Sequence, residues 1–139
     1  MNETSSQQTK LTVGLILIAF LFSIAVRMIW VYHFSDTEAF KFNGQFMINT
    51  NDGYFWAEGA RDIISGVHQD NDGSPVNLSV SELTAFFVKI LPFSFETVIF
   101  YMPVFLSSLI VIPIILIGKA IDNLEAGFIS ALLASIAWS

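Results

Sequence analysis

Two apolar runs govern what this chain can become. Leu11 to Tyr32 is 22 residues long with Arg27 as its only charge, and Thr97 to Gly118 is 22 residues long with none. About 20 apolar residues in helical form cross a hydrocarbon core of about 30 Å, so each run is long enough to be a membrane span. A third run, Ala126 to Ser139, has only 14 residues and reads as the start of another span. In lipid every backbone polar group must be satisfied within the protein, so a partial span leaves a helix end without partners. The sequence therefore reads as stopping inside a helix. Composition agrees with the lipid reading: 54% of the 139 residues are hydrophobic and 13% charged, against about 45–50% and about 25% in soluble domains.

The expected fold is an all-α integral membrane protein with two complete transmembrane helices, the start of a third, and a helical external loop between the first two. In order, residues 1–10 form a polar leader, 11–32 the first span, 33–94 the external loop, 95–118 the second span, 119–125 a short turn and 126–139 the truncated third helix. The first run is too long for a signal-peptide core and lacks a small-residue cleavage site, so it is expected to stay uncleaved. Arg27, Trp30, Tyr32 and His33 gather at its far end, where an aromatic belt and a snorkelling arginine belong. Arg27 reads as an interface anchor, with a charge facing the interior of a helix bundle as the alternative.

Lys10 flanks the first span and Lys119 follows the second, whereas residues 33–95 carry eight acids against three bases. Positive charge favours the cytoplasmic side, so the leader is expected inside and the large loop outside. The net charge of −6 suits neither nucleic acid nor an anionic membrane surface as a partner. There are no cysteines, so the compartment cannot be read from thiol chemistry.

Within the loop the most patterned stretch is Asn49-Thr50-Asn51-Asp52-Gly53-Tyr54 and the residues through Asp62. Asn-Asp-Gly is turn chemistry, and the residues after it predict a helix over 53–65 with Trp56, Ala60, Ile63 and Ile64 on one face, ended by Gly66. Glu58, Arg61 and Asp62 fall on the other face, where Glu58 and Arg61 can pair. Asp52 then sits at a helix N-terminus. Its carboxylate can cap free backbone N–H groups, or point outward to bind a cation or a polar substrate group. Turn chemistry by itself favours the cap.

A second Asn71-Asp72-Gly73 tripeptide reads as a plain loop, because Pro75 and Ser81 stand where a calcium loop needs Gly and Glu. His68 has no second ligand at metal spacing and reads as structural. Ser79-Val80-Ser81-Glu82 has capping-box form and opens an amphipathic helix over about 80–91, stopped by Pro92, whose Leu83, Phe86, Phe87, Ile90 and Leu91 face lipid or a neighbour. Asn77-Leu78-Ser79 is a formal glycosylation acceptor of little weight. Ser94 can cap the second span, and Pro103 and Pro113 are expected to bend it.

Thr50-Asn51-Asp52-Gly53-Tyr54 with Ala57-Glu58-Gly59-Ala60-Arg61-Asp62 closely resembles the N-terminus of the PglB-type bacterial oligosaccharyltransferases. The likeness continues through Leu91-Pro92-Phe93-Ser94-Phe95-Glu96 and Val111-Ile112-Pro113-Ile114-Ile115-Leu116-Ile117, nearly the whole chain. The resemblance implies the N-terminal portion of a multi-pass glycosyltransferase of the bacterial inner membrane, with the first loop periplasmic. Such enzymes transfer a glycan from undecaprenyl-diphosphate-oligosaccharide to an acceptor Asn of a polypeptide sequon, using Mg²⁺ or Mn²⁺. In that family the last residue of an acidic motif in the first loop binds the cation and contacts the acceptor amide. This role falls on Asp52 as catalytic, metal-binding and substrate-binding residue; Thr50, at the motif's earlier position, is not carried over. The partners implied are lipid-linked oligosaccharide, acceptor polypeptide and membrane lipids. The family's further acidic motif, catalytic Glu, pyrophosphate-gripping Arg and acceptor pocket are absent from these residues, so the chain reads as an incomplete and inactive fragment. The competing reading is a non-catalytic assembly or anchoring subunit in which Asp52 is only a cap.

Overall fold

The computed structural model describes residues 3–48, 50–68, 71 and 73–137. Asn49, Gln69, Asp70 and Asp72 lie outside the described residues, as do Met1 and Asn2 of the leader and the last two positions of the third run. The loop reading of Asp72 therefore has no structural counterpart. The chain divides into two compact units, one of residues 1–35 with 104–139 and one of residues 36–103.

The first unit is built from α1 (Glu3–His33), the end of α4 (Phe95–Ser108), α5 (Val111–Ala120) and α6 (Leu124–Ala137). Ser6–His33 and Phe95–Ala120 are long and apolar enough to cross a membrane. Only 17% and 22% of their most apolar stretches is buried, the reverse of what the core helix of a soluble protein shows. The chain is an all-α membrane protein, with Leu124–Ala137 as a shorter apolar helix. Helix α1 begins well inside the expected polar leader, because nothing in Glu3 to Lys10 breaks a helix that the apolar run has already nucleated.

Ala19, Val111, Ile115 and Ala131 form the core of this unit, flanked by Ile16, Phe20, Ile112, Phe128 and Leu132. The residues at its centre are small or β-branched, which lets helices approach closely where lipid offers no hydrophobic drive to association. An ideal Cβ on Gly118 would lie 2.5 Å from the Gly127 Cα, so α5 and α6 meet backbone to backbone. Buried hydroxyls are satisfied on their own helices: Thr12 donates to the Gln8 carbonyl at 2.9 Å, Ser108 to Val104 at 2.7 Å and Ser135 to Ala131 at 2.8 Å.

The second span is interrupted rather than smoothly bent. Pro113 has no N–H for the Leu109 carbonyl, which accepts from Ile112 N at 3.0 Å instead. Leu109 N and Ile110 N likewise bond three residues back, at 3.2 and 3.4 Å, so the helix tightens and breaks between α4 and α5. Pro103 is accommodated inside α4. Asp122 turns the chain with φ 56°, and the Asn123 side chain caps α6 by accepting from Ala126 N at 3.1 Å.

The second unit holds a 3-10 turn at Glu38–Phe40, a hairpin of β1 (Lys41–Phe42) and β2 (Gln45–Phe46), α2 (Asn51–Ser65), α3 (Ser79–Ile90) and the start of α4. The hairpin is an addition to the expected all-helical loop, although Asn43-Gly44 carries its signal: both residues have positive φ, 50° and 76°, as a two-residue hairpin turn demands. Each strand is two residues long, too short for any alternation to register.

Helices α2 and α3 pack through small residues. Ala57, Gly59 and Ala60 of α2 are buried, as are Ser81, Thr84 and Ala85 of α3. Of the face expected for α2, Ala60 is buried, Trp56 and Ile63 are half-buried and only Ile64 is exposed. The capping box does not form: Ser79 is already the first residue of α3, and Leu78 before it gives no side-chain cap. The Ser81 hydroxyl donates to the Trp56 carbonyl at 3.1 Å. Leu91 is extended, as the residue before a proline should be, and α3 ends. Leu83, Phe86 and Ile90 remain exposed on its outer face. Ser94 caps α4 as expected, accepting from Thr97 N at 3.2 Å.

Candidate functional site

The site grows from the start of α2. Thr50 is extended (φ −130°, ψ 143°) and its hydroxyl accepts from Gly53 N at 3.1 Å, while its carbonyl takes Tyr54 N at 3.4 Å. Thr50, and not Asp52, is therefore the N-cap, and the helix begins two residues earlier than expected. A threonine hydroxyl placed at the cap position satisfies the same orphan donor that Asp52 was expected to take. Gly53 is needed for space and not for positive φ: a Cβ there would lie 2.3 Å from Ile48 Cγ2 and 3.0 Å from the Thr50 hydroxyl.

With the cap supplied by Thr50, Asp52 lies within the first turn and is exposed. Among the described residues nothing forms a hydrogen bond or ion pair with its carboxylate. Its negative charge suits the positive end of the helix dipole. The result is a carboxylate fixed on a capped turn with both oxygens available. Such a group can coordinate a hard cation or accept from an amide N–H. Among the described residues no group of three His, Asp, Glu or Cys side chains comes together to hold a metal. Asp52 thus fits a divalent cation by donor type and supplies one ligand of the several such an ion needs.

Arg61 and Asp62 of α2 have structural partners, while Glu58, exposed like Asp52, forms no hydrogen bond or ion pair among the described residues. Arg61 does not pair with Glu58; its guanidinium lies 5.0 Å from the centre of the Phe95 ring. Asp62 accepts from the Ser74 hydroxyl, which also lies 3.2 Å from His68 Nδ1, and His68 Nδ1 is 3.9 Å from Asp62. That cluster gives His68 a structural role, tying it and Ser74 to the end of α2. A pocket of about 490 Å³ flanks the middle of α2, lined among others by Phe42, Phe46, Ile48, Tyr54, Glu58 and Arg61. Phe46 stacks on Phe100 at 5.1 Å beside it. Sequence alone does not reveal the pocket, because the residues that form it lie on four separate elements, β1, β2, α2 and α4.

A family model described as oligosaccharyl transferase STT3, N-terminal, matches residues 8–139. The undecaprenyl-diphosphooligosaccharide–protein glycotransferase of Campylobacter jejuni strain RM1221 is 50% identical over 124 residues, covering 89% of this chain. The protein of the same name from Campylobacter jejuni subsp. jejuni serotype O:2 is 51% identical over 124 residues, with the same 89% coverage. The chain spans 17% of the length of each relative. With the family model covering nearly every residue from the first span to the third apolar helix, the chain belongs to the oligosaccharyl transferase STT3 N-terminal family.

Proposed function

We propose that this chain is the N-terminal portion of the catalytic subunit of a bacterial oligosaccharyltransferase, which moves a glycan from undecaprenyl-diphosphate-oligosaccharide to an acceptor Asn. The observation that carries the reading is the Asp52 carboxylate, held on a capped helix turn and left without a partner among the described residues. In this reading Asp52 contributes one oxygen ligand to Mg²⁺ or Mn²⁺ and accepts from the acceptor amide. When bound, the cation acts as a Lewis acid on the leaving diphosphate and as a template for the acceptor. Thr50 keeps the turn closed and Gly53 lets Ile48 pack beneath it, so the carboxylate is presented by a rigid element. Among the described residues no group of three side chains forms to hold a metal, so in this reading further ligands come from the rest of the full-length enzyme, and the isolated chain should show no turnover.

The topology that goes with this function places the leader in the cytoplasm, the loop of residues 33–94 containing Asp52 in the periplasm and the spans in the inner membrane. Lys10 and Lys119, which flank the two spans on the leader's side, support it. Because the chain has no cysteine, Asp72→Cys gives a single labelling site. Reaction with an impermeant thiol reagent from the periplasmic face is expected; reaction only from the cytoplasmic face would overturn the topology. For the chemistry, transfer to an acceptor peptide is measured against Mn²⁺ concentration in a full-length enzyme carrying this N-terminus. Asp52→Asn should raise the metal requirement, because weakened binding is offset by mass action. An unchanged metal dependence would remove Asp52 from the cation.

A further inference from the structure

Helix α3 has two faces of unlike chemistry. Its small buried residues Ser81, Thr84 and Ala85 are turned to α2, where the Ser81 hydroxyl bonds the Trp56 carbonyl. At about 3.6 residues per turn, Leu83, Phe86 and Ile90 stand on the opposite side of the helix. There Phe86 and Ile90 are 54% and 55% exposed, and Leu83 is 38% exposed. No charge interrupts that face. Glu82 and Lys89 are two turns apart and share one flank between the two faces.

The apolar surface does not stop with the helix. Leu91 and Phe93, in the link to α4, are exposed as well, and from Leu83 to Phe95 the only charge is Lys89. A link that runs through water is ordinarily polar, and a continuous exposed apolar patch marks a surface that meets protein or membrane. Chain length favours the membrane. The span Phe95–Ala120 has 26 residues, about 39 Å of helix rise, against about 40–45 Å for a bilayer with its headgroups. Phe95 therefore enters at headgroup level. Ile90 precedes it by five residues, at most about 18 Å of chain. The outer face of α3 is thus tethered beside the bilayer surface, and it leads through Leu91 and Phe93 into the segment that enters the bilayer.

We propose that α3 lies in the headgroup layer with Leu83, Phe86 and Ile90 turned into the acyl chains of the lipid. The face has no polar side chain to satisfy, as burial in hydrocarbon requires. Lys89, on the flank, keeps its stem along the apolar surface and its ammonium among lipid phosphates. Helix α2 then rests on the side of α3 away from the lipid, so the bilayer surface fixes the height of the helix that carries Asp52. The inference rests on Phe95–Ala120 crossing a membrane and not on the transferase reading, so either can fail alone.

The test uses a full-length enzyme carrying this N-terminus, with any other cysteine replaced by serine, in vesicles of phosphatidylethanolamine and phosphatidylglycerol. A nitroxide spin label on Phe86→Cys reports collisions with oxygen, which concentrates in hydrocarbon, and with a water-soluble nickel chelate. Oxygen collisions in excess of chelate collisions are the expected result. Leu83→Cys or Ile90→Cys gives the same reading should Phe86→Cys fail to accumulate. An excess of chelate collisions would overturn the proposal by placing the face in water. Collisions with neither reagent would overturn it as well, assigning the face to another part of the protein.

Discussion

The two ends of α2 treat the same side chain in opposite ways. At its last turn Asp62 is mostly buried and takes the Ser74 hydroxyl, with His68 beside it. At its first turn Asp52 is exposed, and among the described residues it has no partner, because the cap that an aspartate commonly provides comes from Thr50. One carboxylate is committed to holding the chain together and the other is left free. Turn propensity cannot tell them apart, since both are acids beside a helix end. What separates them is whether a neighbour has already used the oxygens.

The sharpest way to break that comparison is to neutralise the two acids separately in a full-length enzyme carrying this N-terminus. Asp52→Asn should lower the initial rate of glycan transfer by about 100-fold or more, the scale of losing one electrostatic contact in a reaction. Its melting temperature should stay near native, since nothing described leans on that carboxylate. Asp62→Ala should do the reverse, leaving transfer within a few-fold of native and costing about 1–3 kcal/mol of stability by removing the acceptor of the Ser74 hydroxyl. Equal losses of activity from both would mean the two acids serve one purpose.

Next in size is the contact that supports both ends. A Cβ on Gly59 would lie 2.6 Å from the Ser81 hydroxyl and 2.8 Å from the Pro75 carbonyl, which belongs to the backbone and cannot rotate away. Gly59→Val should therefore destabilise by about 1–3 kcal/mol through overpacking, measured by denaturation or by yield of folded protein. Thr50→Ala should cost about 1 kcal/mol through the lost cap, with Thr50→Ser close to native. If Thr50→Ala lost transfer as completely as Asp52→Asn, the hydroxyl would be contacting substrate and not only the Gly53 amide. Smallest of all, Asp72→Asn should leave transfer unchanged, although Asp72 shares its Asn-Asp-Gly tripeptide with Asp52.

The spans were legible because crossing lipid is a property of some twenty residues at once, and no single residue can hide it. The stops were legible too: Gly66 ends α2 with φ 68° and Leu91 ends α3 before Pro92. Hydroxyls were harder to place, because a serine or threonine at a helix start has several local acceptors and donors within reach. Thr50 caps where Asp52 was expected, and Ser81 leaves its own helix to bond Trp56. Both outcomes depend on where the neighbouring chain lies. The apolar face of α2 was legible only in part for a related reason: Ala60 lies on it and is buried, but the partner helix also approaches over Gly59, and a glycine contributes nothing to an apolar stripe. Asp52 stands out as a candidate in the sequence, but its freedom from the cap is visible only with Thr50 in place.

The contact between Gly118 and Gly127 also decides which parts of the membrane unit can yield. Where two helices touch through side chains, rotamers absorb small displacements; where they touch through backbone, as here, there is nothing soft between them. The corner joining α5 to α6 therefore behaves as a welded joint, and its Asn123 cap keeps the joint from unwinding. The gap at Leu109 and Ile110 is different, since its amides reach only three residues back. A displacement along the second span would be taken up at that gap before it reached the α5–α6 corner, which α1 also holds through Ala19.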